Sequence, residues 1–195
     1  ATSLGIPRNE AVVANNVILD IGGGTTDIAI FANKRPCYFA TVPFGGDDIS
    51  HDICVVEHLP QYKAEEIKKG IPLTPNALPG EKLSFDLGGR SYDLDKTELQ
   101  AIIGARLENI IEEKVKSVLE ACGNFAYERA LLTGGVARTK GIEYIVGVTL
   151  DSLPTKRVLP AFEDQLVSEQ YNECYVTAMG ILKYIQDRTF SSIAY

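Results

Sequence analysis

A glycine-rich turn between two short apolar runs is the feature of this sequence best suited to chemistry. The turn consists of Gly22, Gly23, Gly24, Thr25 and Thr26. Its glycines lack the Cβ atoms that would hold a phosphate away from the backbone, and their amides and the two threonine hydroxyls can form an anion nest. Asp20 ends the preceding run, where it is placed to orient Mg²⁺ through the ion's water shell. The pattern predicts a site for the β- and γ-phosphates of a nucleotide.

Two other phosphate motifs and a plain turn are the alternatives for these glycines. A Rossmann motif needs a helix after the glycines, whereas residues 27–31 form another apolar run typical of a strand. A P-loop needs Gly-Lys-Ser or Gly-Lys-Thr, and the sequence contains neither. A plain turn explains neither the acid before the glycines nor the second and third glycine. The phosphate site is therefore the favoured interpretation.

A second glycine turn and a charged pair supply candidates for the rest of a nucleotide. Gly134 and Gly135 follow a buried apolar run and precede Val136, and such a turn lets a flat purine nucleoside pack on the backbone. Glu65 and Lys68 are three residues apart, so a helix would place them on one face. An ordinary surface ion pair is the alternative for these two residues.

Bulk composition excludes several classes of protein. The chain has 195 residues and a net charge of −7, which argues against a large nucleic-acid interface because such an interface needs a basic face. No run approaches the roughly 18 apolar residues of a membrane span, and the first residues do not resemble a signal peptide. A cytoplasmic location is expected. The four cysteines, at 37, 54, 122 and 174, are scattered among apolar neighbours and are expected to be reduced core thiols.

The order of predicted elements defines an α/β fold. Apolar runs at 17–21, 27–31 and 37–42 predict an antiparallel meander, and a helix follows from about residue 46 to 56. A short charged helix (62–69) and a hairpin around Gly88 and Gly89 come next. Asp95 can cap a long amphipathic helix that stops at Gly123. A buried strand (129–133), a helix, a strand near 156–159 and a closing helix (172–186) complete the chain.

The turn and its flanking acids resemble the second phosphate motif of the actin/Hsp70 superfamily. The matching stretch, residues 20–27, reads Asp-Ile-Gly-Gly-Gly-Thr-Thr-Asp. The resemblance implies a ribonuclease-H-like fold that binds ATP with Mg²⁺. It also implies that residues 131–137 form the adenosine motif and that Glu65 and Lys68 face the ribose and base. Arg138 lies where Hsp70 proteins carry an arginine near the adenine, and a solvated arginine is the alternative.

Within that superfamily, the segment after the first helix is most similar to that of FtsA cell-division proteins. The hairpin around Gly88, Gly89 and Arg90 leads into a helix reading Thr-Glu-Leu-Gln-Ala-Ile-Ile-Gly-Ala-Arg at 97–106. The resemblance implies half of an actin fold, with residues 1–52 and 98–195 forming the core subdomain (IIA) and residues 53–97 a small inserted α+β subdomain (IIB).

Several functional expectations follow from this resemblance. FtsA proteins are actin homologues that polymerise and tether the tubulin-like protein FtsZ at the inner face of the membrane. The C-terminal tail of FtsZ is expected to dock on the inserted subdomain, where the family uses a basic pair and this chain has Lys96 followed by Thr97. The first phosphate motif and the membrane helix of the family are not found in this sequence. Membrane attachment is therefore expected only through such segments, and the chain alone is expected to be inactive as an ATPase because catalysis needs both lips of the cleft.

Two other kinds of actin-fold protein remain alternatives. One is a scaffold of pilus assembly of the PilM type, and the other is an Hsp70-like reactivating chaperone of a cofactor enzyme. Both would bind a partner other than FtsZ.

Overall fold

The computed structural model describes residues 15–33, 35–74, 80–123, 126–158 and 175–193, with side chains up to residue 184 in the last range. A five-stranded mixed sheet lies at its centre. The strands are β1 (Asn16–Ile21), β2 (Thr26–Ala32), β3 (Arg35–Val42), β6 (Arg129–Thr133) and β7 (Thr155–Arg157), while β4 and β5 form a separate hairpin. Across the sheet the order is β3-β2-β1-β6-β7. The first three strands are antiparallel and β6 and β7 run parallel to β1, so the predicted meander is confirmed.

Alternate residues of β1 enter two separate apolar clusters. Val17, Leu19 and Ile21 are fully buried and belong to the main core on one face of the sheet. The smaller cluster on the opposite face consists of Ile18, Phe31, Leu131, Val158 and Val176. A strand buried on both faces reads as a continuous apolar run, which is the pattern seen in the sequence.

Two helices and a hairpin follow β3. They are α1 (Gly46–Glu57), α2 (Gln61–Gly70), β4 (Lys82–Leu87) and β5 (Arg90–Asp95). The predicted hairpin is confirmed, and Phe85 stacks on Tyr92 with 5.2 Å between ring centroids. Lys63 of α2 lies 4.4 Å from the centroid of the Phe85 ring, so the hairpin packs against α2.

The long amphipathic helix has the predicted ends but an irregular middle. Asp95 accepts a hydrogen bond from the Thr97 amide (2.7 Å), as expected of an N-cap. The helix runs as α3 (Lys96–Asn109), a π-helical segment (Ile110–Val115) and α4 (Lys116–Cys122). The wider π turn shifts the register of the side chains, and Ile110, Ile111 and Val115 are all fully buried. The sequence predicted one uninterrupted α-helix, so the π-helical segment is a difference from that prediction.

The last third of the chain follows the predicted order with different boundaries. After Gly135 the chain forms a 3₁₀ turn (Val136–Arg138), and α5 (Ile142–Thr149) begins only later because Thr139 has extended dihedral angles. The closing helix, α6, spans Val176–Ile193, whereas the prediction was 172–186, of which 172–174 lie outside the described residues.

One side-chain link joins the first and third helices. The guanidinium of Arg106 on α3 donates two hydrogen bonds to the carboxylate of Asp52 on α1, at 2.6 and 2.7 Å. A bidentate pair of this kind fixes geometry as well as charge. It holds α1, whose first residues hydrogen-bond to the glycine-rich turn, against α3.

The cysteines differ from the expectation of four core thiols. Cys37 is exposed, so that prediction is wrong for this residue, while Cys54 and Cys122 are half-buried. Cys174 lies outside the described residues. Within the described part of the chain, none of the helices has the length and apolar character needed to cross a membrane.

Candidate functional site

The glycine-rich turn is joined to the first turn of α1 by backbone hydrogen bonds. The amides of Gly46 and Asp47 donate to the carbonyls of Gly22 (2.9 Å) and Gly23 (2.8 Å). The Gly22 amide donates to the Thr25 carbonyl at 2.8 Å, within the turn itself. A phosphate nest at this turn would therefore depend on the amides of the residues after Gly22.

A cavity of about 380 Å³ opens beside this turn and gathers residues from three distant segments. Its walls are formed by Gly22, Gly23, Gly46, Asp47, Glu65, Lys68, Lys69, Gly135, Val136, Arg138 and Thr139. The structure thus brings six of the predicted site residues together, namely Gly22, Gly23, Glu65, Lys68, Gly135 and Val136. The purine, ribose and phosphate candidates named from the sequence share one cavity.

Glu65 and Lys68 face the cavity from one side of α2, as their spacing predicted. The Lys68 ammonium donates to Glu65 (2.5 Å) and to the Gly46 carbonyl (2.8 Å), and only 6% of the residue is exposed. Ser50 and Lys69 also contact the Glu65 carboxylate, at 2.5 and 3.1 Å. The pair, with Lys68 buried and Glu65 partly buried, links α2 to the start of α1.

Glu65 is held in its ionised form by these contacts. Partial burial raises its pKa, but the hydrogen bonds from Lys68, Ser50 and Lys69 outweigh burial and lower the pKa to about 2. At neutral pH the site therefore presents a carboxylate acceptor, flanked by two lysines, to any ligand in the cavity.

Asp20 lies outside the cavity wall, at the end of β1. It is opposite Asp27 on β2 and Thr133 on β6, and Thr177 of α6 donates to its Oδ2 atom at 2.5 Å. Its carboxylate thus lies on the face of the sheet that α6 covers. Among the residues that the structure describes, no group of three or more His, Cys, Asp or Glu side chains could hold a metal ion. One carboxylate does fit Mg²⁺ bound mainly by water and phosphate oxygens.

Gly134 brings the second glycine turn against Asp20. It has a φ of +91°, and a Cβ atom there would lie 2.6 Å from Oδ1 of Asp20 and 2.5 Å from the Ile21 carbonyl oxygen. Only glycine fits this approach. Gly134 therefore shapes the site by close packing and is not among the residues that line the cavity.

The two threonines of the glycine-rich turn have different environments. The Thr26 hydroxyl donates to the Phe44 carbonyl at 2.9 Å, and the residue is fully buried. Thr26 thus stabilises the turn from its buried side and is not part of the cavity wall. Thr25 and Gly24 are exposed beside the cavity, so Thr25 is the threonine of the turn that solvent and ligands can reach.

Asp47 is the main residue of the cavity that was not among the site residues predicted from the sequence. Of the two acids at the start of α1, only Asp48 caps the helix, accepting from the Gly45 amide at 2.8 Å. The Asp47 carboxylate instead lies 3.4 Å from the position a Gly23 side chain would occupy. Its charge opposes a nearby phosphate unless a cation lies between them.

Comparison with solved structures places this arrangement among the actin-fold proteins. MreB5 of Spiroplasma citri bound to ADP matches all of this chain and 60% of its own length, with a TM-score of 0.73 and 20% identity. A non-polymerising A278D mutant of MamK bound to AMPPNP matches 93% of this chain and 57% of its own length, with a TM-score of 0.66 and 18% identity. The fold is α/β and is that of half an actin-like protein.

Comparison of sequences narrows the class to one family. The profile of the family described as "Cell division protein FtsA" matches residues 17–180. FtsA of Pseudomonas aeruginosa is 30% identical over 176 residues, 86% of this chain and 41% of that protein. FtsA of Borreliella burgdorferi is 28% identical over 174 residues, 86% of this chain and 42% of that protein. The chain belongs to the FtsA family of cell-division proteins, and it spans about two fifths of the length of these relatives.

Proposed function

We propose that this chain is the ATP-binding half of an actin-like cell-division protein that polymerises and tethers FtsZ at the membrane. The observation that carries the proposal is the cavity that gathers the glycine-rich turn, the Glu65–Lys68 pair and the second glycine turn. Structures of MreB5 and MamK with ADP or AMPPNP support the nucleotide part of the proposal.

Each part of the cavity has a proposed role toward the nucleotide. The amides of Gly23 and Gly24 and the Thr25 hydroxyl bind phosphate, and Thr26 fixes the turn that presents them. Glu65 accepts hydrogen bonds from the ribose, because its pKa keeps it ionised. The base packs on Gly135 and Val136, and Asp20 orients the water shell of Mg²⁺, which neutralises phosphate charge when bound.

Asp20→Ala tests the metal part of this site. We expect the substitution to weaken Mg·ATP binding by about tenfold, since outer-sphere partners of a metal contribute on that scale, and to leave ATP binding in EDTA unchanged. The measurement is calorimetric titration of the chain with ATP, with and without Mg²⁺.

The matched control is Asp86→Asn. Asp86 is an exposed acid whose contact is with Ser91 on the hairpin, away from the cavity, and the control should bind like the unmodified chain. Equal Mg·ATP affinity in the Asp20 variant and the control would refute the assignment of Asp20. No ATP binding to the unmodified chain would refute the nucleotide site itself.

The proposed docking place for the FtsZ tail is the surface where the inserted subdomain of residues 53–97 ends and α3 begins. Lys96 is half-exposed there and pairs with Glu81 at 2.9 Å. Next to it, Thr97 opens onto a groove of about 360 Å³ whose lining is mixed, with small or apolar residues such as Ala101 and Gly104 beside polar ones such as Gln100 and Glu108. A basic group next to a partly apolar groove suits a peptide with acidic and apolar residues.

Fluorescence anisotropy with a labelled C-terminal FtsZ peptide tests this docking place. We expect Lys96→Glu to weaken binding by about tenfold, because it reverses a charge at the rim of the groove. Lys82→Glu is the matched control, since Lys82 also forms one exposed ion pair, with Asp93 on the hairpin. Equal weakening by both variants would indicate a non-specific charge effect and contradict the proposed site.

Filament formation, ATP hydrolysis and location belong to the whole protein in this proposal. We infer a cytoplasmic protein, peripheral to the membrane through segments outside this sequence, with self-association driven by nucleotide. The MamK double helical filament, 18% identical to this chain, shares its fold. The likeness to PilM and EutJ is of the same kind, at 18% and 19% identity. Phosphate-release assays and electron microscopy with ATP check hydrolysis and filaments.

A further inference from the structure

Asp47 differs from Glu65, the other acid on the cavity wall, in what its carboxylate contacts. Glu65 accepts hydrogen bonds from Lys68 and Ser50. The Asp47 carboxylate is exposed, and within the described part of the chain it accepts no hydrogen bond and forms no ion pair. Its charge is therefore available to a ligand in the cavity.

The backbone holds the Asp47 side chain beside the glycine-rich turn. The Asp47 amide donates to the Gly23 carbonyl at 2.8 Å, and a Cβ atom at Gly45 would clash with that carbonyl oxygen. Both carboxylate oxygens of Asp47 lie 3.4 Å from the position of a Gly23 Cβ atom, and Oδ2 lies 3.9 Å from that of a Gly24 Cβ atom. The carboxylate thus lies next to the two residues whose amides are the proposed phosphate ligands.

The first amides of α1 do not offset the Asp47 charge, because each already has an acceptor within the protein. The Gly46 and Asp47 amides donate to carbonyls of the glycine-rich turn, and the Gly45 amide donates to the Asp48 carboxylate. Free amides at the start of a helix bind anions. Here these donors are occupied, so a phosphate near the start of α1 meets the Asp47 carboxylate without them.

The charged side chains of the cavity wall nearly cancel. Lys68, Lys69 and Arg138 are basic, Asp47 and Glu65 are acidic, and both lysines pair with Glu65. A metal-free nucleoside triphosphate carries several negative charges, which a surplus of one positive charge on the wall does not neutralise. A divalent cation on the phosphates lowers their charge and gives Asp47 a favourable partner.

We propose that Asp47 makes this site select metal-bound over metal-free nucleotide. The carboxylate repels bare phosphate at the glycine-rich turn and attracts a divalent cation that the phosphates carry. The inference rests on the proposed function, because it needs the phosphates at the amides of Gly23 and Gly24. The two acids have different roles: Asp20 orients the water shell of the metal, whereas Asp47 also opposes phosphate that arrives without metal.

Asp47→Asn tests this selectivity, because it removes the charge and keeps the size of the side chain. ATP is titrated calorimetrically in EDTA and, separately, with excess Mg²⁺. We expect the affinity for ATP in EDTA to rise about tenfold, since the repulsion of a nearby charge is lost, and the affinity for Mg·ATP not to rise. Asp20→Ala is expected to change only the affinity with metal, so the roles of the two acids can be distinguished.

Two variants of the same helical turn are the controls. Asp47→Glu keeps the charge, and its affinities should have the same ratio, with metal to without, as those of the unmodified chain. Asp48→Asn removes a charge one residue farther on, from a carboxylate that caps α1 and does not line the cavity. Asparagine can still accept from the Gly45 amide, so this variant should change the ratio much less than Asp47→Asn.

Ionic strength gives a second measurement of the same repulsion. The Debye length falls from about 10 Å in roughly 0.1 M salt to about 3 Å in roughly 1 M salt. The gain in ATP affinity that Asp47→Asn shows in EDTA should therefore shrink at the higher salt concentration. An effect that came only from a change in the structure of α1 would persist there.

Three outcomes would overturn the role of Asp47. They are an unchanged affinity of Asp47→Asn for ATP in EDTA, equal gains with and without Mg²⁺, and an equal gain in Asp48→Asn. In each of these cases the unmodified chain still binds ATP, so the nucleotide site stands. If the unmodified chain bound ATP neither with nor without Mg²⁺, the proposed function would fail and the inference with it. Circular dichroism confirms that each variant is folded before titration.

Discussion

At the scale of single residues, Glu65 makes the site sensitive to acid. Its pKa falls from the ordinary 4.5 to about 2 in the folded chain, although burial alone would raise it. The unfolded state therefore binds more protons than the folded state between these values, and the free energy of unfolding rises with pH in that window. The stabilisation by Glu65 is complete above pH 4.5 and is lost as the pH falls toward 2.

Glu65→Gln tests this linkage. We expect the variant to have a lower free energy of unfolding at pH 6 and a weaker pH dependence between about pH 4.5 and 2, because the replaced group no longer titrates. Urea denaturation at a series of pH values measures both. Glu66→Gln is the control, since Glu66 forms an exposed pair with Lys63 and should follow the unmodified chain. Parallel pH curves for Glu65→Gln and the unmodified chain would contradict the prediction.

The sequence predicted the position of a site residue correctly where that position depends only on residues nearby in the chain. Glu65 and Lys68 share a helix, so their spacing alone placed them on one face, and three consecutive glycines identify a turn without side chains. Asp47 and Thr26 differ because their roles depend on partners far along the chain. The bond from Thr26 to Phe44, for example, exists only once β2 and the β3–α1 loop are folded together.

At the scale of elements, the start of α3 depends on Asp95. Its carboxylate accepts from the Thr97 amide, one of the donors left without a partner inside the helix. Asp95→Ala should lower the free energy of unfolding by about 1 kcal/mol, as measured for other N-caps. Chemical denaturation gives the value.

A neighbouring aspartate provides the comparison for this cap. Asp93 lies two residues earlier on β5 and accepts from Lys82 and Ser84 on the surface. Asp93→Ala should lower the free energy of unfolding by less than Asp95→Ala, because an exposed ion pair contributes little. If both substitutions had equal effects, the cap would not be what fixes the start of α3.

Periodicity and capping predicted most elements but not the irregularities between them. The ends of the long helix could be predicted because Asp95 and Gly123 mark them. The π-helical segment was not predicted, because no capping residue or break in the apolar pattern marks it in the sequence. The late start of α5 was not predicted either. The segment before α5 is held by a residue far along the chain, since the Leu73 amide donates to the Lys140 carbonyl at 2.6 Å.

At the scale of the whole molecule, the two faces of the sheet differ in the size of the apolar cluster that the described residues form on them. Among the described residues, the main core joins β1, β2 and β6 to α1–α5, whereas the cluster on the other face is small and meets α6 through Val176. Farther along α6, Ile181, Leu182 and Tyr184 are exposed. Because little apolar surface is buried beneath the part of α6 whose side chains the structure describes (176–184), we expect this helix to open without unfolding the rest.

Two buried valines test this asymmetry, since Val176 and Val115 are both fully buried. Val115→Ala should lower the global free energy of unfolding by about 2 kcal/mol through lost burial and a cavity, so that amide exchange rises throughout the core. Val176→Ala should raise exchange in α6 and leave the global unfolding midpoint unchanged. Hydrogen exchange followed by mass spectrometry, with urea denaturation alongside, separates the two.

The opening of α6 would also reach the candidate site, because Thr177 donates to Asp20 from the first turn of that helix. Val176→Ala should therefore loosen the hold on Asp20, and exchange near the end of β1 should rise together with that of α6. A uniform rise in exchange, with equal loss of global stability in both valine variants, would show that the molecule opens as one unit. A rise confined to α6 and the end of β1 would show that Asp20 is positioned by the least stable helix of the described chain.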